Sequence, residues 1–162
     1  MSIRFAFVAA TAAVALLSSA LPGAAQSLAS GRDVAAIRGC AEKYADNVDE
    51  GERRCIFTLV SDPCAKRREM QPDASRAECF RAEQAIWDEI LNDNFRKLRD
   101  DLDDDQKAKL RDMQRAWIAY RDTTCGFYYD KIQGSMATTM IAACLARETA
   151  RRALLLRFFQ GL

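Results

Sequence analysis

Six cysteines, at positions 40, 55, 64, 79, 125 and 144, and no histidine constrain this chain more than any other feature. An even cysteine count in a short exported chain reads as a disulfide framework, whereas the same count in the cytosol reads as metal or redox chemistry. The N-terminus decides between them. Arg4 supplies a positive charge, Phe5 to Leu21 form an apolar run, and Leu21-Pro22-Gly23-Ala24-Ala25 ends it with small residues. That layout predicts a cleaved signal peptide over residues 1–25. The run stops short of the roughly 20 apolar residues a membrane helix needs. Cys40 lies too far past the cut to carry a lipid, so no membrane anchor is expected after cleavage. Export therefore makes the cysteines a framework, with the mature protein in the periplasm or secreted. A zinc site is disfavoured, because no C-x-x-C spacing and no histidine are present.

Residues 26–162 suffice for one domain with a modest core. Removing Arg4 from 24 basic side chains, against 23 acidic ones, leaves a formally neutral chain, without the basic excess of a nucleic-acid protein.

The apolar pattern is helical throughout. No Asn-Gly or Asp-Gly hairpin dipeptide and no sustained apolar-polar alternation signals a strand. Ser75-Arg76-Ala77-Glu78 fits a capping box. After it, Ile86 or Trp87, Leu91, Phe95, Leu98 and Leu102 recur every three or four residues. Asp103-Asp104-Asp105-Gln106 can end that helix and start another, since aspartate caps N-termini and suits the positive end of the helix dipole. Leu110, Met113, Trp117, Tyr120 and Thr124 continue the period, Gly134-Ser135 marks a turn, and a last helix runs to Phe158. The expected fold is all-α: a small disulfide-stapled bundle with long antiparallel helices over about 76–102, 104–130 and 135–159. Shorter helices precede them, with Asp46–Gly51 as a loop and Ser61-Asp62-Pro63 as a turn. The expected division is a helical extension over 26–63 and a main helical domain over 64–162.

The cysteines fit this picture. Cys40 and Cys55 bracket one turn, Cys64 and Cys79 another, and Cys125 and Cys144 flank Gly134. Residues equidistant from the turn of a helical hairpin come close enough to bridge. Cys40–Cys55, Cys64–Cys79 and Cys125–Cys144 are the favoured pairs; Cys55–Cys64 with Cys40–Cys79 is the main rival.

Chemistry is hard to place on these residues. Without histidine the commonest general base is missing and Ser-His-Asp or Cys-His arrangements are excluded. No phosphate-cradling glycine loop or nucleophile elbow occurs. A carboxylate pair acting on glycosidic bonds is the remaining enzymatic option, and no distinctive pair stands out. The chain is expected to be a binding protein, with no catalytic residue, metal or cofactor. The acidic run Asp100, Asp101, Asp103, Asp104 and Asp105 is either a solvated helix junction or a patch that steers a basic partner. Arg151, Arg152 and Arg157 have an ordinary explanation as cations in the last turns of a helix. Asp88 and Asn92, four apart, and Gln114, Arg121 and Asp122 beside Trp117 are expected to form a hydrogen-bond network between helices.

Glu83, Trp87-Asp88 and Leu91-Asn92, then Gln114-Arg115-Ala116-Trp117-Ile118-Ala119-Tyr120-Arg121-Asp122 with Cys125, then Gly134, Cys144, Thr149 and Arg152, resemble the LprI-like lysozyme-inhibitor domain family over about residues 64–157. Two departures are visible: Phe95 stands where the family usually has tyrosine, and Gln133-Gly134-Ser135 replaces a Gly-Gly-Ser turn. The resemblance implies an exported helical domain with a protein partner, lysozyme being the one in the family name. It implies no inhibitory residues. The rival expectation is a non-inhibitory structural or adaptor module of the cell envelope.

Overall fold

A computed structural model describes residues 29–67 and 73–162, with the side chains of 73–75 left out. The predicted signal peptide and Pro72 lie outside the described residues. Within them the chain forms six helices and no strand: α1 (Gly31–Lys43), α2 (Val48–Cys55), α3 (Ser61–Arg67), α4 (Asp73–Asp100), α5 (Asp104–Ile132) and α6 (Gly134–Phe159).

Local chemistry starts these helices. Ser30 Oγ accepts from Asp33 N at 3.2 Å while the Asp33 carboxylate accepts from Ser30 N at 2.8 Å, a complete capping box on α1. Asp103 and Gln106 make the same reciprocal pair on α5, so one aspartate of the acidic run is committed to ending one helix and beginning the next. Three local expectations are corrected. Residues 48–51 of the expected Asp46–Gly51 loop are the first turn of α2, because Asn47 Oδ1 caps Glu50 N at 3.0 Å. Ser61-Asp62-Pro63 opens α3 instead of making a turn, since proline is tolerated in a first helical turn, where its missing N–H has no intrahelical partner. Ser75 is not the cap of α4, which already begins at Asp73.

The three long helices run up, down and up. Cys125–Cys144 and the Gln114–Arg152 hydrogen bond pair α5 with α6 in antiparallel register. Asn94 donates to Ala153 O, and Phe57 lies between Phe80 and Arg147, so α4 and α6 run parallel. These two form the most extensive helix–helix contact among the described residues. Ala137, Ala142, Ala146, Ala150 and Ala153 are all buried on α6, and side chains this small let the two backbones approach. Helix α5 is held mainly by α6; the backbones of α4 and α5, though consecutive, rarely come close, and the two helices meet through side chains such as Leu98 and Leu110 of the shared core.

One apolar cluster runs through the molecule. Ile37, Ala41, Cys55, Ile56 and Val60 from the N-terminal segment join Ile86, Trp87, Ile90, Leu91, Leu98 and Leu110, with Ala150, Ala153, Leu154 and Leu156 closing it. Leu154 packs within 3.2 Å of where a side chain on Gly51 would begin, so the absent side chain lets α2 lie on α6. The disulfides are Cys40–Cys55, Cys64–Cys79 and Cys125–Cys144, with Cα separations of 5.8, 5.7 and 5.5 Å, inside the span a bridge requires.

The apolar period needs adjustment on two helices. On α4 the buried face passes through Asn94, with Phe95 only partly covered. On α5 it turns after Trp117 toward Arg121 and the buried Cys125, leaving Tyr120 and Thr124 exposed, because the bridge to Cys144 dictates which side faces α6.

Candidate functional site

The polar residues singled out in the sequence fall into separate places. The deepest is Glu83, fully buried on α4. Its Oε1 accepts from Phe57 N at 2.7 Å and from Trp87 Nε1 at 3.1 Å, and its Oε2 accepts from Ser61 N at 2.9 Å. These bonds fasten the 57–61 turn to α4 and hold Phe57 at φ 69°, a left-handed conformation unfavourable for an aromatic residue. Glu83 is thus a structural clasp, and Trp87 and Leu91 are core. Asp88 and Asn92 pair with each other at 3.1 Å on the exposed side of α4.

A second cluster joins α5 to α6. Gln114 Oε1 accepts from Arg152 Nε at 2.9 Å. The Trp117 ring carries two guanidinium groups, Arg121 at 5.0 Å and Arg152 at 5.7 Å from its centroid, a cation–π arrangement. Arg121 also pairs with Asp122 at 2.7 Å. Thr149, one turn before Arg152, is fully buried. Arg152 is therefore not a last-turn cation: it is 5 % exposed and points at the α5 interface. Burial lowers its guanidinium pKa below the ordinary value, and no carboxylate opposes that shift. Its neighbours differ. Arg151 pairs with Glu52 at 2.8 Å and Arg157 with Glu42 at 2.7 Å, tying α6 to α2 and α1. Gly134 has φ 67° and Gln133 φ 60°, ψ 172° at the α5–α6 turn.

At the other end, Asp101, Asp103, Asp104 and Asp105 are exposed around the α4–α5 junction, and Asp100 pairs with Arg99. Beside this turn lies an open, largely apolar groove of about 270 Å³ lined by Leu98, Leu102, Gln106, Lys109, Leu110, Met113 and Phe159. The sequence showed the acids and the leucines but not that they share one edge. Asn94 and Gln160 were missed as well: Asn94 Nδ2 donates to Ala153 O at 3.0 Å, and Gln160 Nε2 donates to Asn94 O at 3.2 Å. An asparagine one turn beyond Leu91 and one before Leu98 was the available signal.

Among the described residues, no group of three or more Cys, Asp or Glu is placed to hold a metal ion, and no helix is long and apolar enough to cross a membrane. Geometry of this kind defines a disulfide-stapled all-helical domain whose inward polar groups mostly lock helices to one another. Residues 64–156 match the family described as Lysozyme inhibitor LprI, and the chain belongs to that family. No curated protein and no solved structure matches it.

Proposed function

We propose that this protein is exported to the periplasm or beyond and inhibits lysozyme by binding it, without catalysing a reaction of its own. Membership of the inhibitor family carries this reading. Three disulfides, the use of every described cysteine in them, and the predicted signal peptide over residues 1–25 support export. The proposed contact surface is the acidic turn of Asp100, Asp101, Asp103, Asp104 and Asp105 together with the apolar groove beside it. Negative charge at the rim speeds encounter with a basic enzyme, and the groove receives an apolar side chain near the centre of the contact.

The test is inhibition of several lysozyme types by oxidised residues 26–162, with the reduced chain as control. Stoichiometric inhibition lost on reduction is expected; no effect on any lysozyme refutes the reading and leaves the adaptor role. Asp101, Asp104 and Asp105 changed together to Asn should weaken inhibition at low salt. Asp103 is left intact because it caps α5. Unchanged potency in that variant moves the contact elsewhere.

A further inference from the structure

Among the described residues, the arginines that tie one helix to another are paired with carboxylates, except Arg152. Arg38 reaches Asp93 and Glu89, Arg151 reaches Glu52, and Arg157 reaches Glu42. Arg152 is more deeply buried than any of these, yet its hydrogen bond goes to the neutral Gln114. Its Nη2 is buried with no acceptor, and Thr149 Oγ1, one helical turn away, is likewise buried and unpartnered. A guanidinium withdrawn from water without a counter-charge is strongly unfavourable, and the unpartnered Thr149 hydroxyl three residues back on the same helix adds a smaller cost of its own. What the pair lacks is an anionic acceptor. A carboxylate supplies it, accepting from the free edge of the Arg152 fork, and the Thr149 hydroxyl, three residues back on α6, is the second unpartnered donor on that helix. Arg121, 5.0 Å from the centroid of the same Trp117 ring, adds a second positive charge. The cover is light. Leu110 and Cys125 are the buried residues of α5, and Trp117 and Arg121 are only partly covered.

We infer that the α5–α6 interface at Thr149, Arg152, Trp117 and Arg121 is a receptor for a single carboxylate. It stands apart from the acidic turn and does not depend on lysozyme being the partner.

The experiment is a titration of the oxidised chain with sodium acetate at constant ionic strength, balanced with chloride. It follows the Arg152 Nε–H and Trp117 indole N–H signals by ¹⁵N NMR. Saturable one-site shifts are expected, with affinity reduced at least about tenfold in R152Q, as loss of a charge-assisted pair predicts. T149V is the second variant. It replaces an unsatisfied hydroxyl with a methyl group of similar size, so it should fold as stably as the parent while binding acetate more weakly. Repeating the titration with N-acetyl-glutamate N-methylamide separates the sources. Tighter binding of this peptide-borne carboxylate assigns a side chain of a protein partner, and tighter binding of acetate assigns a small free anion. Shifts that grow linearly with either probe, or that persist unchanged in T149V and R152Q, overturn the proposal and leave water as the occupant.

Discussion

Replacing Glu83 tests the clasp that joins the N-terminal helices to α4. Glu83→Ala leaves Phe57 N, Ser61 N and Trp87 Nε1 without their acceptor, and each buried, unsatisfied donor costs about 1–3 kcal/mol. Two effects offset part of that sum: the mutant no longer buries a carboxylate, and the vacated space admits water. We expect a net loss of about 3–5 kcal/mol, a large part of the roughly 5–15 kcal/mol available to a domain. Phe57, held at positive φ by this bond, should relax with it. Glu83→Gln separates the bonds. Its amide oxygen can keep the two donors now served by Oε1, while its NH₂ faces Ser61 N–H, donor against donor, for a cost of about 1–3 kcal/mol. Urea unfolding of the oxidised proteins, followed by far-UV circular dichroism and tryptophan fluorescence, should rank the parent above Glu83→Gln and Glu83→Ala last. The midpoint should shift with little change in slope. A Glu83→Ala variant within about 1 kcal/mol of the parent would show that the three bonds are replaceable by water and refute the clasp.

Gln133→Gly should stabilise the protein by about 1–2 kcal/mol in the same assay. Gln133 occupies a backbone region almost exclusive to glycine, and the relieved strain of about 1–3 kcal/mol exceeds the entropy glycine adds to the unfolded chain. Cys125→Ser with Cys144→Ser should loosen the second half of α5 while the α4–α6 pair stays protected from hydrogen exchange, since that half of α5 has Cys125 as its buried residue. The overall loss should fall near the usual 2–4 kcal/mol for a bridge. Glu42 is held below the ordinary carboxylate range, first by its hydrogen bond from Arg157. A depressed folded-state pKa stabilises above the unfolded value, and the contribution is lost as pH falls through the folded one. Glu42→Gln should therefore lower stability at neutral pH by less than about 1 kcal/mol, because the Glu42 side chain is mostly exposed. That difference should vanish in acid, as unfolding curves at pH 7 and pH 3 would show. Gly51→Val should cost about 1–3 kcal/mol by driving a branched side chain into Leu154.

Much of the architecture was legible because it rests on local rules. Apolar residues at three- and four-residue spacing, the Asp103–Gln106 cap and the Gly134 turn define the long helices whatever they pack against. Hairpin symmetry likewise places each cysteine pair across its own turn. The polar residues were legible as unusual but not as to purpose, because spacing along one helix says nothing about the element opposite. Asp88 and Asn92 share a face in the sequence and turn out to bond each other on the exposed side of α4. Glu83, in the same motif, is fully buried and serves a turn 22 to 26 residues upstream.

The sequence by itself determined an all-helical, cysteine-bridged chain and its family, since periodicity, caps and motif order are properties of the chain read in line. Only the tertiary structure decided that α4 pairs with α6 in preference to its neighbour α5. That choice depends on a ridge of buried alanines finding a complementary surface, and shape complementarity exists only once both helices are in place. It also decided the fate of three arginines within seven positions of α6. Arg151 and Arg157 meet carboxylates brought from α2 and α1, whereas Arg152 is carried inward to a glutamine and a tryptophan ring with no counter-charge. The charge is written in the sequence; its desolvation is a consequence of packing.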